Sequence, residues 1–192
     1  MLVRDFGLHL EATNNDGCTP LVQAVLGGYT VTVISLINDL GARVDAVITN
    51  GSTALHQAAS MGFTDTALAL ISIGRARIDA AAKDGDTPLH MACFYGHPTM
   101  VSALLAEGAS LDAKLADGRT PQQLICLQPS ADPANKPLVV AAIARYKRLA
   151  VLGKEMLKAA AWSAASTAAA PSCPQPPARR LATACGPRLG TP

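Results

Sequence analysis

The chain has 192 residues, of which 16 are Lys or Arg and 14 are Asp or Glu, for a formal net charge of +2. Apolar residues make up 49% of it and aromatic residues only 4%, so alanine and leucine must build the core, as in closely packed helix pairs. It has no Gly-rich phosphate loop and no apolar run long enough to span a bilayer.

Residues 1–16, MLVRDFGLHLEATNND, hold no complete helix pair. Arg4, Asp5, His9 and Glu11 interrupt the apolar residues, so no secretory signal is expected. The first helix signal is GCTPLVQAVLGGY, Gly17 to Tyr29. Thr19 and Pro20 suit a helix start, the hydroxyl capping free N–H groups and the proline fitting the first turn. Leu21 and Ala24 share a face, and Gly28 suits a left-handed C-terminus. A second helix carries Val33, Ile34, Leu36 and Ile37, and LINDLGARVDA closes the unit at Ala46.

The same grammar returns twice. GSTALHQAASMGF runs from Gly51 to Phe63, with Thr53 keeping the cap while Ala54 replaces the proline. Leu55, Ala58 and Gly62 repeat the earlier face and stop. Ala67, Leu68, Leu70 and Ile71 mark the second helix, followed by LISIGRARIDA. GDTPLHMACFYGH then runs from Gly85 to His97, with Thr87, Pro88, Leu89, Ala92 and Gly96 in register, then Val101, Leu104, Leu105 and LLAEGASLDA. A degraded copy, GRTPQQLICLQP, begins at Gly118. The opening glycines are 34, 34 and 33 residues apart. Residues 1–16 match the second half of such a unit: Gly7 aligns with Gly108, Leu10 with Leu111 and Glu11-Ala12 with Asp112-Ala113.

After Leu127 the proline-rich QPSADPANKP predicts a loop, and Leu138 to Trp162 predicts a long helix. On a helical wheel Leu138, Tyr146, Leu149, Leu152, Met156 and Leu157 form an apolar face. Lys147, Arg148, Lys154 and Lys158 lie opposite, and Arg145 intrudes on the apolar side. The plain reading is a cap over the last repeat. The alternative is a helix for an anionic membrane or a calmodulin-like partner. Residues 163–192, rich in Ala, Pro, Ser and Thr, are expected to be disordered. Charge follows this division: residues 1–135 hold 13 acids against 7 Lys or Arg, net −6, and residues 136–192 hold 9 against one acid, net +8. Nucleic acid is not the expected partner, because the basic tail has almost no interleaved aromatics.

The pattern G-x-T-P-L-H-x-A at a period of about 34 residues, with a mid-unit Gly and a closing Gly-Ala, resembles the ankyrin repeat. The resemblance covers roughly Leu2 to Cys126. It implies an all-α solenoid of stacked helix-turn-helix units with hairpin-like loops, a long C-terminal helix and a disordered tail. The expected organisation is a partial repeat at 1–16, repeats at 17–50, 51–84 and 85–117, a degenerate repeat with a capping helix at 118–162, and the tail. In that family the His of the motif ties adjacent loops through their backbone, which is the reading given to His56 and His90; Val22 stands in the first unit. A metal or catalytic role would not recur once per structural period. Asp84 and Asp86 read as turn and cap residues, and His97 as a helix-opening cap or an exposed residue. Cys93 reads as a small core residue, because no oxyanion-hole motif accompanies the His90–Cys93 pairing.

The resemblance further implies a non-catalytic, monomeric scaffold or adaptor that binds another protein, with no cofactor and no metal. Carried over by position, the contact residues are Asn15, Asp16, Cys18, Leu26, Thr49, Asn50, Ser52, Ser60, Met61, Lys83, Asp84, Asp86, Phe94 and Tyr95. The two aromatics are the expected anchors. Three alternatives stay open. The chain could belong to a larger ankyrin-containing enzyme, ubiquitin-ligase adaptor or channel. The first repeat could dock a partner through Val22, Val25 and Leu26. Residues 136–162 could contact a membrane surface. Five cysteines without a C-x-x-C pair point to a reducing compartment, cytoplasmic or nuclear.

Overall fold

A computed structural model of the chain describes residues 10–125, 127 and 132–168, with side chains to residue 153. The start of the partial repeat, part of the proline-rich loop and the tail beyond Ala168 lie outside the described residues. Contacts divide the chain into Met1–Val151 and Leu152–Pro192. The first unit holds the repeats; the second is described only as the C-terminal stretch of a helix.

The helices are α1 (Pro20–Leu26), α2 (Thr30–Asn38), α3 (Ala54–Met61), α4 (Thr64–Ser72), α5 (Pro88–Tyr95), α6 (Pro98–Ala106) and α7 (Asn135–Ala168). No strand forms among the described residues; Val47 and Thr53 make one isolated antiparallel bridge. In the first unit α1, α3 and α5 lie side by side and α2, α4 and α6 form the second row. Leu21, Leu55 and Leu89 are buried between them with Ala24, Ala58 and Ala92. Each buried leucine contributes about 1.5–3 kcal/mol, and the alanines let the paired helices approach. Val22 and Val25 are buried as well. They belong to the core and offer no docking face, which corrects that expectation for the first repeat.

The helix starts follow from their capping residues. The Thr19 hydroxyl accepts the Val22 N–H at 3.4 Å. Thr53 and Thr87 go further, forming reciprocal capping boxes with His56 and His90. The Thr53 N–H donates to His56 Nδ1 at 3.1 Å, and the Thr87 N–H to His90 Nδ1 at 3.2 Å. That leaves Nε2 carrying the proton. It donates to the Asp86 carbonyl at 3.0 Å from His56 and to the Arg119 carbonyl at 3.4 Å from His90. One ring thus closes its own helix and ties it to the next hairpin. In the fourth unit Gln123 keeps half of this arrangement: its Oε1 accepts the Thr120 N–H at 2.9 Å.

Hairpin tips are joined directly by backbone hydrogen bonds. The N–H groups of Thr49, Lys83 and Ala116 donate to the carbonyls of Asp16, Asn50 and Asp84 at 3.3, 3.3 and 2.9 Å. A second ladder uses the acid of each closing motif. Glu11, Asp45 and Asp79 carboxylates accept the N–H groups of Arg43, Arg77 and Ser110 at 3.1, 3.2 and 3.0 Å. Stacking is therefore held by polar ties of one repeat period as well as by the core.

Two expectations change at the C-terminal side. The degraded fourth unit forms only a 3-10 turn at Pro121–Leu124, packed on α5; Gln122 and Gln123 stand where the full units have Leu followed by Val or His. In α7 the face that joins the core is Val139 and Ile143, with Ala142 and Tyr146 partly buried against it. Of the apolar face read from the sequence, Leu138, Leu149 and Leu152 are exposed. The helix extends to Ala168, past Trp162 and into the segment expected to be disordered from residue 163, which corrects that boundary; the stretch is alanine-rich and favours helix.

Burial lowers the affinity of both bridging histidines for a proton, outweighing the nearby Asp86 carboxylate and the facing carbonyls, which raise it. The unfolded chain takes up these protons near the ordinary value of 6.5, and the folded chain only below it. Their stabilising effect is thus complete above that value and is lost as pH falls through the window beneath it. Urea unfolding at pH about 7.5 and about 5.5 is expected to show a lower midpoint in acid. The double variant His56→Gln/His90→Gln should lose most of that difference.

Candidate functional site

The third unit and the degraded fourth unit enclose a groove of about 440 Å³ lined by Asp84, Asp86, Met91, Phe94, Tyr95, Leu115, Ala116, Asp117, Arg119 and Leu124. The walls come from three elements. The hairpin around Gly85 carries the first two acids, α5 presents Met91, Phe94 and Tyr95, and the next hairpin with the 3-10 turn that follows it supplies the rest. Phe94 and Tyr95 meet edge to face, with ring centroids 5.2 Å apart and planes at 89°. Tyr95 also stacks on His97, at 6.5 Å and 14°. His97 opens α6 without a side-chain cap bond. Its Nε2 instead donates to the Ser60 carbonyl of the preceding repeat at 2.9 Å, so it is a bridge rather than a cap or a free surface residue. The ring that backs Tyr95 is thereby fixed to two repeats.

The electrostatics are one-sided. Asp117 accepts the Arg119 N–H at 3.0 Å and pairs with its guanidinium. The Arg119 backbone and side chain together hold the Asp117 carboxyl below its usual range. Burial pushes the Asp86 carboxyl up; His90 and His56 oppose this, while Asp84 and Asp117 add to it. Among the described residues, the Asp117–Arg119 pair is the one ion pair. Lys83, next in sequence to Asp84, lays its Cγ toward Gly51 of the preceding hairpin.

The structure brings together four of the residues expected to make contacts: Asp84, Asp86, Phe94 and Tyr95. The others are placed elsewhere. Asn15 and Asp16 are exposed on the first hairpin, Thr49 and Asn50 on the second, and Lys83 on the third. Met61, 49% exposed, ends α3, and Leu26 and Ser60 are half-buried. Two expectations are corrected. Cys18 and Ser52 are 7% and 2% exposed, so neither side chain is on the surface; their N–H groups donate to Asn14 and Asn50 Oδ1 at 2.8 and 2.9 Å. Burial also pushes the Cys18 thiol up, assisted by Asp16. Cys93 is fully buried.

Sequence reasoning missed Met91, Leu115, Ala116, Asp117, Arg119 and Leu124. Met91 had a usable signal, since the equivalent residues are Gln23 and Gln57, and an apolar residue there sits on an otherwise polar face. Leu115, Ala116 and Asp117 close the third repeat, beyond its helix pattern, and Arg119 and Leu124 belong to the fourth unit, whose motif has decayed. No group of three or more His, Cys, Asp or Glu among the described residues could hold a metal ion. No helix among them is long and apolar enough to cross a membrane.

Comparison with known proteins agrees with this architecture. No curated protein matches the chain. The family model for ankyrin repeats (3 copies) matches residues 2–84 and again 33–117, together more than half of the 192 residues. With three helix pairs in register, His56 and His90 bridging the second and third pairs to the hairpins that follow them and this match across all three, the chain belongs to the ankyrin-repeat family.

Proposed function

We propose that this chain is a non-catalytic scaffold or adaptor that binds a partner protein through its hairpin tips and the exposed face of its first-row helices. Ankyrin repeats are generally protein–protein interaction modules. The observation that carries the reading here is the groove. It gathers two aromatic anchors and a charged rim from separate repeats, the composition of an interface hot spot. Both nitrogens of His56 and of His90 are engaged by backbone groups, which leaves neither ring free for acid–base work. Five cysteines without a paired motif suit a reducing compartment, cytoplasm or nucleus.

The test is affinity purification with mass spectrometry on the wild type and on Met61→Ala/Tyr95→Ala. The variant is expected to lose at least one partner while keeping its helical circular dichroism. Retention of every partner, or a matching loss of helicity, would count against the proposal. A second reading has its own observation. Leu138, Leu149 and Leu152 are exposed on one face of α7, and Lys147 and Arg148 are exposed away from it, as a membrane-surface helix would require. Co-sedimentation of the full chain with anionic vesicles separates the two, because a helix that only caps the repeats ignores lipid.

A further inference from the structure

The floor and rim of the groove make different demands on an occupant. Its floor is apolar: Met91, Phe94, Tyr95, Leu115 and Leu124. Its rim carries three carboxylates, of Asp84, Asp86 and Asp117, against one guanidinium. That guanidinium, on Arg119, is already paired with Asp117. An aliphatic anchor would cover Asp86 without giving it a partner, and burying an unpaired charge is costly. An acidic anchor would meet like charge. The side chain that satisfies both zones is long, apolar along its stem and cationic at its end.

We propose that the groove receives an arginine side chain from an extended basic segment of a partner protein, with its guanidinium on Asp84 and Asp86 and its methylenes on Met91, Phe94 and Tyr95. This deepens the interaction-module reading and rests on it. Arginine is preferred to lysine because a planar guanidinium can lie on the Tyr95 ring and meet carboxylates in a fork, which a point-charge ammonium cannot. The neighbouring Arg119–Asp117 pair is the same union made within the chain. The acidic character extends along the repeats: residues 1–135 carry 13 acids and 7 Lys or Arg, net −6, against net +8 in residues 136–192, so the attraction for a basic segment is local to the repeat surface. The raised Asp86 carboxyl fits this picture, since an incoming cation would offset the burial that disfavours its charge.

The experiment selects a phage-displayed random dodecapeptide library on the full chain and measures the winning synthetic peptides by anisotropy. The expected result is a fixed arginine in the selected sequences. Changing it to citrulline, which keeps the shape and removes the charge, should weaken binding about tenfold or more. Asp84→Asn/Asp86→Asn should weaken binding similarly, while Asp39→Asn/Asp132→Asn, an equal charge change at exposed remote positions, should not. Thermal melts of both variants verify that they fold. Affinity should also fall as salt rises. Selected peptides that compete at the groove, lose affinity in Tyr95→Ala and yet lack a basic residue would overturn the arginine assignment and leave the interaction module standing. A library that yields no binder would overturn the assignment, and failure to recover any partner from cells would remove the broader reading with it. Sedimentation of the unliganded chain covers the remaining occupant: a dimer dispersed by Asp84→Asn/Asp86→Asn would place a second copy in the groove and overturn the assignment.

Discussion

Replacing His56 by alanine is expected to destabilise the repeat array by about 3 kcal/mol, and replacing it by glutamine by only about 1 kcal/mol. The ring is 1% exposed. Alanine removes the acceptor of the Thr53 N–H and leaves a buried donor unsatisfied, which costs about 1–3 kcal/mol. It also removes the donor to the Asp86 carbonyl, worth about 1 kcal/mol, and opens a cavity between α3 and the next hairpin. Glutamine keeps the cap and gives up the bridge. The chain itself contains that outcome, since Gln123 caps Thr120 at 2.9 Å. Urea unfolding followed by circular dichroism resolves the two costs. Equal losses for alanine and glutamine would mean that the cap contributes nothing and the bridge everything. A glutamine variant as stable as the wild type would mean the reverse.

This pair of substitutions also indicates which parts of the molecule are legible in the sequence. The cap half of the histidine's work is local: Thr and His three residues apart, before an apolar face, specify it in any helix. The bridge spans 30 residues from His56 to Asp86, and only the repeat period gives its length. The same holds for Glu11, Asp45 and Asp79. Their recurrence beside alanine is visible, but the N–H each one holds belongs to the following unit. Where the period is clean, helices and core follow from Leu21, Leu55 and Leu89 with their alanines. Where it decays, at Gln122 and Gln123, the chain forms a 3-10 turn, and the groove walls after Ala113 could not be placed. The α7 face was misjudged for a different reason. Leucines and alanines lie all round that helix, so a wheel cannot separate Val139 and Ile143, which join the core, from Leu138 and Leu149, which do not. The contact surface is the least legible part, because residues there answer to a partner and not to the fold.

The second large effect is expected at Gly51. Gly51→Ala should cost about 2–3 kcal/mol, and Gly118→Ala about 1 kcal/mol. Both glycines have positive φ, +82° and +84°, where a Cβ costs about 1–2 kcal/mol in any L-residue. They differ in what the added methyl would meet. At Gly118 it would enter open space; at Gly51 it would lie 2.9 Å from the Lys83 backbone nitrogen and 3.0 Å from its Cγ. The lysine stem can rotate away, but the backbone cannot move without lengthening the Lys83 N–H bond to the Asn50 carbonyl, 3.3 Å in the native hairpins. The excess cost at Gly51 over Gly118 therefore measures the tip-to-tip contact between the second and third hairpins. In a solenoid that contact belongs to the interface term that makes neighbours unfold together, so Gly51→Ala should also lower the denaturant dependence of unfolding as the units separate. Equal costs at the two glycines, with an unchanged slope, would mean that the hairpin ladder adds nothing to the coupling and that α1, α3 and α5 hold the array together through their apolar faces alone.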